Sequence, residues 1–168
     1  KESYEKQRQV VYQQMQYMMI NDNVTHKEMQ SITEMARAYF QVKNFVVCCF
    51  SCPESEIDDE MDGKYYYLEG KDSLNILIVD SEYKDEVLKS FDNYYIGISN
   101  VYYNLLDLRQ AYHEAATIRK TAFETMIKRV DAAEFSKPDE EYEYGVKFMM
   151  QTANLICSNK LDEAIEQL

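Results

Sequence analysis

Glycine and proline are scarce in this chain, four and two respectively among 168 residues. That scarcity excludes collagen-like and Pro/Gly-rich disordered classes, and it leaves no glycine-rich loop of the kind that cradles phosphates. Basic residues are also in deficit: 18 Lys+Arg against 30 Asp+Glu give a net charge of -12. The summed field therefore repels phosphate backbones, so this segment is not expected to bind nucleic acid itself. An acidic surface is also an ordinary way for a protein to stay soluble. No apolar run approaches the roughly 18 to 20 residues that a membrane span needs, and no charged-then-apolar leader opens the chain. The segment is expected to be soluble and cytoplasmic, with any membrane anchor lying upstream in a parent protein. Both ends read as cut points, because the chain opens on Lys1 rather than Met and Leu168 falls within an apolar-periodic helix.

What is present favours a folded, element-rich chain: 46% of residues are apolar and 13% aromatic, enough to build a core. Tyr4, Val11, Met15 and Met18 fall three, four or seven apart, which predicts a helix over 4–20. Asn21-Asp22-Asn23 ends it. Thr25 with Glu28 forms a capping box, and Met29, Ile32, Ala36 and Tyr39 stripe a second helix. Phe45–Phe50 is a short β-branched and aromatic run, read as a strand buried on both faces. The acidic stretch 54–63 reads as a solvated loop. Residues 64–68 and 74–79 flank the polar turn Glu69-Gly70-Lys71-Asp72 and predict an antiparallel hairpin.

Asp80 or Ser81 caps a short helix to about Ser90, and 94–99 gives another strand, interrupted by Gly97. Asn104 and Asp107 open the longest helix, in which Leu105, Leu108, Tyr112, Ala115, Ile118 or Arg119, Ala122, Met126 and Val130 keep helical spacing. Residues from 139 onward are again read as helical, with a break at Ser158-Asn159-Lys160. The pattern predicts an α+β fold: a small, mainly antiparallel sheet of about four strands flanked by helices, with helical extensions at both ends. The expected division is a helical hairpin over 1–43, an α+β domain over 44–133 and a helical linker over 134–168.

The sequence Ile96-Gly97-Ile98-Ser99, followed by Leu105, Leu108-Arg109, Ala111-Tyr112 and Glu114-Ala115, resembles the end of the degenerate GGDEF-like middle domain of AraC-type bacterial transcription regulators. In that family a strand carrying Gly-Ile-(Gly/Ser) leads through a short loop into a helix reading Leu-Arg-x-(Ser/Ala)-Tyr-x-Glu-Ala. Gly97, Leu108, Arg109, Tyr112, Glu114 and Ala115 carry the motif here. The stretch from Phe135-Ser136 through Asp139-Glu140-Glu141, and then Ser158 to Ala164, is similar to the helical linker that leads toward the family's helix-turn-helix region. One difference from the family pattern is the short connection between the first strand and the hairpin, where the family has a substantial helix. The resemblance implies a nucleotidyl-cyclase-like palm scaffold.

The residues alone account for part of the motif. Gly97 permits close backbone approach in a strand, and Leu108, Tyr112 and Ala115 form the face that lies on the sheet. Arg109 and Glu114 are expected to face outward, solvated or paired within the helix.

In active diguanylate cyclases the hairpin turn carries Gly-Gly-Asp/Glu-Glu-Phe. Here it reads Leu68-Glu69-Gly70-Lys71-Asp72-Ser73, so the resemblance implies a non-catalytic module with no catalytic, cofactor-binding or metal residues and no cofactor. Cys49-x-x-Cys52, with Cys48 and the distant Cys157, lacks the further ligands of a zinc site, and buried, reduced thiols are the expected reading. Asp58, Glu60, Asp62 and Glu69 approach an EF-hand pattern, but flanking helices are not expected there and a solvated loop is preferred. The tyrosines Tyr65 to Tyr67, Tyr94, Tyr95, Tyr102 and Tyr103 are read mainly as strand-face and core-edge residues, with a ligand surface as the alternative. His26 and His113 are read as surface helix residues.

The expected function is signal transmission and dimerisation, coupling an upstream sensor, possibly in the membrane, to a downstream helix-turn-helix domain. The chain is expected to be a homodimer that reaches DNA only through that missing domain. The competing expectations are a nucleotide-handling enzyme or a small-ligand sensor on the same scaffold.

Overall fold

A computed structural model describes residues 1–57, 63–135 and 150. The fold is α+β: a five-stranded, mostly antiparallel sheet with helices on both faces. Two helices open the chain, α1 (Glu2–Ile20) and α2 (His26–Ala36). Val11, Met15 and Met18 put one apolar face of α1 inward, where all three are buried. The α2 box is reciprocal: the Glu28 N–H donates to Thr25 Oγ1 at 3.3 Å and the Thr25 N–H donates to Glu28 Oε2 at 2.7 Å. Such a cap contributes about 1 kcal/mol, and the Thr25 N–H and hydroxyl, both donated to Oε2, hold the Glu28 carboxyl below its ordinary pKa.

The sheet is built on β1 (Phe45–Phe50), β2 (Tyr65–Glu69), β3 (Asn75–Asp80), β4 (Ile96–Ile98) and β5 (Arg129–Asp131), in the order β2-β3-β1-β4-β5. The central strand β1 pairs antiparallel with β3 from Phe45 opposite Asp80 to Phe50 opposite Asn75, and antiparallel with β4. Strands β2 and β3 form the expected hairpin, with Tyr65 opposite Val79.

Every β1 residue is buried, and the pleat sends alternate side chains to opposite faces. Phe45, Val47 and Cys49 join Ile76, Ile78, Tyr66 and Leu68 in a core shared with α1, α2 and α4 (Leu108–Glu124). Val46, Cys48 and Phe50 join Leu77, Val79, Ile96 and Ile98 in a second core, covered by α3 (Lys84–Leu88) and Phe91. A last helical turn, α5 (Ala132–Phe135), follows β5.

Two expectations are corrected. The long helix does not run through Val130; it ends at Glu124, and Arg129–Asp131 returns as a strand parallel to β4. The sheet therefore has five strands rather than four. Met126 stops the helix by taking φ 60°, while the Ile127 N–H reaches back to Ala122 O at 3.0 Å and the Met126 N–H to Phe123 O at 3.3 Å. This is the Schellman end that glycine usually makes. A methionine there gives no stop signal in the sequence.

Helix α4 is thus a crossover between two parallel strands. The new edge is tied down by a largely buried ion pair, Lys84 Nζ to Asp131 Oδ2 at 2.7 Å, while Asp131 Oδ1 accepts the Ala133 N–H at 3.0 Å. The helix expected to about Ser90 is α3 with 3-10 turns on either side. The helices expected from 139 onward lie outside the described residues, apart from a helical Met150.

Candidate functional site

The six motif residues converge where α4 crosses the sheet and meets the end of α1. Asn104 starts this region, its Oδ1 accepting the Leu106 N–H at 3.1 Å. One 3-10 turn, Leu105–Asp107, then feeds α4. Leu108, Tyr112 and Ala115 are buried on the sheet, as their spacing requires.

Gly97 explains how closely the helix lies. A Cβ at Gly97 would overlap Arg119 N and Ala115 O and stand 2.6 Å from Arg119 Cα. The obstacles are helix backbone, so only hydrogen fits at that position.

Arg109 and Glu114 are not solvated charges or intrahelical partners; both make contacts to other parts of the fold. Arg109 Nε donates to Met18 O at 3.0 Å and Nη2 to Asn21 O at 2.8 Å. A cation on the last carbonyls of α1 also suits the negative end of that helix. Glu114 accepts the Asn100 N–H at 2.5 Å and the Tyr102 O–H at 2.6 Å, which fixes the loop after β4 against α4. Burial, then the Glu114 carboxylate, raises the Tyr102 phenol well above its ordinary pKa. Sequence spacing carries no signal for the role of Arg109, because its partners lie 88 and 91 residues away; those of Glu114 lie only 14 and 12 residues away but in the loop after β4, outside its helix.

Beside this junction is a cleft of about 380 Å³. Lys71 and Asp72 of the hairpin turn, Ser51 past β1, and Tyr112, His113 and Arg119 on α4 line it. The sequence did not point to this cleft. Asp72 and Ser73 at the turn both take left-handed backbone, φ 57° and 59°, which is uncommon outside glycine. The Ser51 hydroxyl donates to Ser73 O at 3.2 Å and holds the turn against the end of β1. A second groove, of about 440 Å³, runs along α1 and α2 beside Val10, Val11, Met35 and Tyr39.

The remaining candidates are scattered. Cys48 and Cys49 are buried on opposite faces of β1, and Cys52 is partly exposed. Burial pushes the Cys48 thiol up to about 12 and the Cys49 thiol well above its ordinary value. Cys157 lies outside the described residues. Asp58, Glu60 and Asp62 also lie outside them; Glu69 closes β2, its carbonyl accepting from Gln16 Nε2 at 2.5 Å. Among the described residues no three His, Cys, Asp or Glu side chains gather around a point where a metal would sit.

The tyrosines divide between the two cores and do not build one surface. Tyr66 packs with Tyr12 and Phe40, whereas Tyr65 and Tyr94 lie on the opposite face. Tyr94 donates to Glu56, and that bond pushes its phenol up to about 12. Tyr95 stacks edge-on with Phe123 under Lys128, and Tyr103 is exposed. His113 is exposed, 3.4 Å from the Asp22 carboxylate, and His26 contacts Gln30.

No helix among the described residues is long and apolar enough to cross a membrane. No family model, no curated protein and no solved structure matches this chain.

Proposed function

We propose that the chain is a non-catalytic signal-transmission and dimerisation module of an AraC-type transcription regulator, built on a degenerate GGDEF-like palm. It is cytoplasmic and works as a homodimer. It couples an upstream sensor, in the membrane or soluble, to a downstream helix-turn-helix domain that contacts DNA. The observation that supports this most is the clasp of Arg109 on the carbonyls of Met18 and Asn21. It joins the end of the incoming helix α1 to the first turn of α4, whose far end leads into β5 and the C-terminal segment. A rotation or shift of α1 then reaches the exit of the domain through one rigid helix instead of being absorbed in a loop.

The motif order supports the same reading: Gly97, Leu108-Arg109, Tyr112 and Glu114-Ala115 occupy the junction in the sequence order of the family. The test is a gel shift on promoter DNA with this chain and with a version extended downstream. Sequence-specific binding is expected of the extended version alone, and tight binding by the 168-residue chain would overturn the proposal. Incubation with GTP, ATP and magnesium is expected to yield no cyclic product; its formation would favour a nucleotide-handling enzyme instead.

A further inference from the structure

We infer that the cleft between the hairpin turn, the end of α1 and the middle of α4 binds a small organic anion, with its phosphate or carboxylate head between Lys71 and Arg119. This goes beyond the regulatory reading and stands on the cleft's own geometry.

Four features carry it: the size and lining of the cleft, its charge, an unpaired donor and a rigid frame. The volume, about 380 Å³, is that of a small-metabolite pocket. The lining is mixed in the way such pockets are, with Ile20, Leu74 and Ala116 apolar and the other described lining residues polar. Two permanent cations, Lys71 and Arg119, line the cleft in a chain whose net charge is -12, and Asp72 is the only carboxylate among the described lining residues. Coulomb attraction at contact distance lets a local pair of cations hold an anion against the repulsion of the acidic surface.

The third observation is an orphan donor. Arg119 Nε is buried and has no hydrogen-bond partner in the protein. Buried donors are nearly always satisfied, so an unpaired one on a residue that lines a cleft calls for an acceptor; the guanidinium carbon otherwise lies over the Phe123 ring, 5.7 Å from its centroid. A guanidinium presents several N–H groups in a fixed plane, which matches the oxygens of a phosphate or carboxylate.

The fourth is preorganisation. The backbone of Arg119 is wedged against Gly97, where not even a methyl group fits. Opposite it, the turn holds two successive non-glycine residues at positive φ, pinned by Ser51. Backbone strain of this kind persists where the surroundings fix a geometry that serves a purpose. Both cations therefore sit on rigid supports before a ligand arrives.

The test is an amide-resolved NMR titration of the full chain with inorganic phosphate, ribose 5-phosphate and succinate, with neutral ribose as the control. Saturable shifts are expected at Lys71 to Ser73, His113 and Arg119 with at least one anion, and none with ribose. The phosphate and succinate arms tell which head group the site prefers. Replacing Arg119→Gln or Lys71→Gln is expected to weaken that binding about tenfold or more, the loss of a charge-assisted hydrogen bond. Lys71 lies on the surface turn, so Lys71→Gln keeps the test valid if Arg119→Gln fails to fold. Absence of saturable shifts with all three anions up to about 20 mM, far above ordinary metabolite Kd values, would overturn the inference. So would shifts spread over unrelated lysines and unchanged in both variants.

Discussion

Gly97→Ala should destabilise the protein, against the general rule that alanine in a strand outperforms glycine by about 0.5–1 kcal/mol. The added methyl would stand 2.6 Å from Arg119 Cα and closer still to Arg119 N and Ala115 O, about 0.8 Å or more inside ordinary contact. No rotamer change relieves this, because all three obstacles are main chain. Helix α4 must lift by about 1 Å, which forfeits a quarter to a half of the dispersion contacts along its buried face. That face includes Leu108, Ala111, Tyr112 and Ala115. With about 1.5–3 kcal/mol for each of the two large buried side chains, Leu108 and Tyr112, the loss comes to about 1–3 kcal/mol, in line with other overpacked cores. For a chain of this length the thermal midpoint should fall by about 2–12 °C. Thermal unfolding followed by circular dichroism measures it. Gly63→Ala is the control: Gly63 has φ +76° but open space around it, so only about 1 kcal/mol of backbone strain is expected. A Gly97→Ala protein as stable as the parent would refute the close packing of α4 on β4.

Three further outcomes follow from the same geometry. Arg109→Gln removes two charged hydrogen bonds to the end of α1 and should cost about 1.5–3 kcal/mol, with faster amide exchange in the last turn of α1; unchanged exchange there would show that the clasp carries no coupling. Met126→Gly should stabilise by about 1 kcal/mol, since glycine adopts the left-handed end of α4 without strain, and a lower urea midpoint would contradict the assignment of that helix end. Burial raises the Cys48 thiol from 9.0 to about 12, so the folded state holds its proton more tightly than the unfolded chain. The stability this contributes is complete below about pH 9 and is lost as pH rises toward 12. Urea midpoints should decline over that window, and iodoacetamide should modify Cys52 before Cys48 or Cys49 in the native protein; early labelling of Cys48 would place it outside the core.

The local rules that were legible in the sequence are those with a short range. The Thr25 to Glu28 box started α2, the two-faced apolar run Phe45–Phe50 became the central strand, and the hairpin around Gly70 closed as expected. The inward face of α4 followed from its 3.6-residue period. Elsewhere a neighbour in sequence gives no sign. The end of α4 is hidden because Met126 occupies a position that normally announces itself as glycine. The helical spacing runs on past it to Val130, so the parallel edge Arg129–Asp131 carries no signal of its own. The contacts of Arg109 and Glu114 are not legible in their helix alone, because their partners, Met18, Asn21, Asn100 and Tyr102, belong to other elements.

The sequence by itself determined the α+β class, the order of most elements and the face that each turns inward, because period and capping are properties of a few adjacent residues. Only the tertiary structure decided that α4 rests directly on Gly97, that Arg109 fastens α1, and that Lys71 and Arg119 share a cleft. Such contacts depend on how separate elements are brought together in space, and burial then sets the charge and hydrogen-bond environment that each side chain meets.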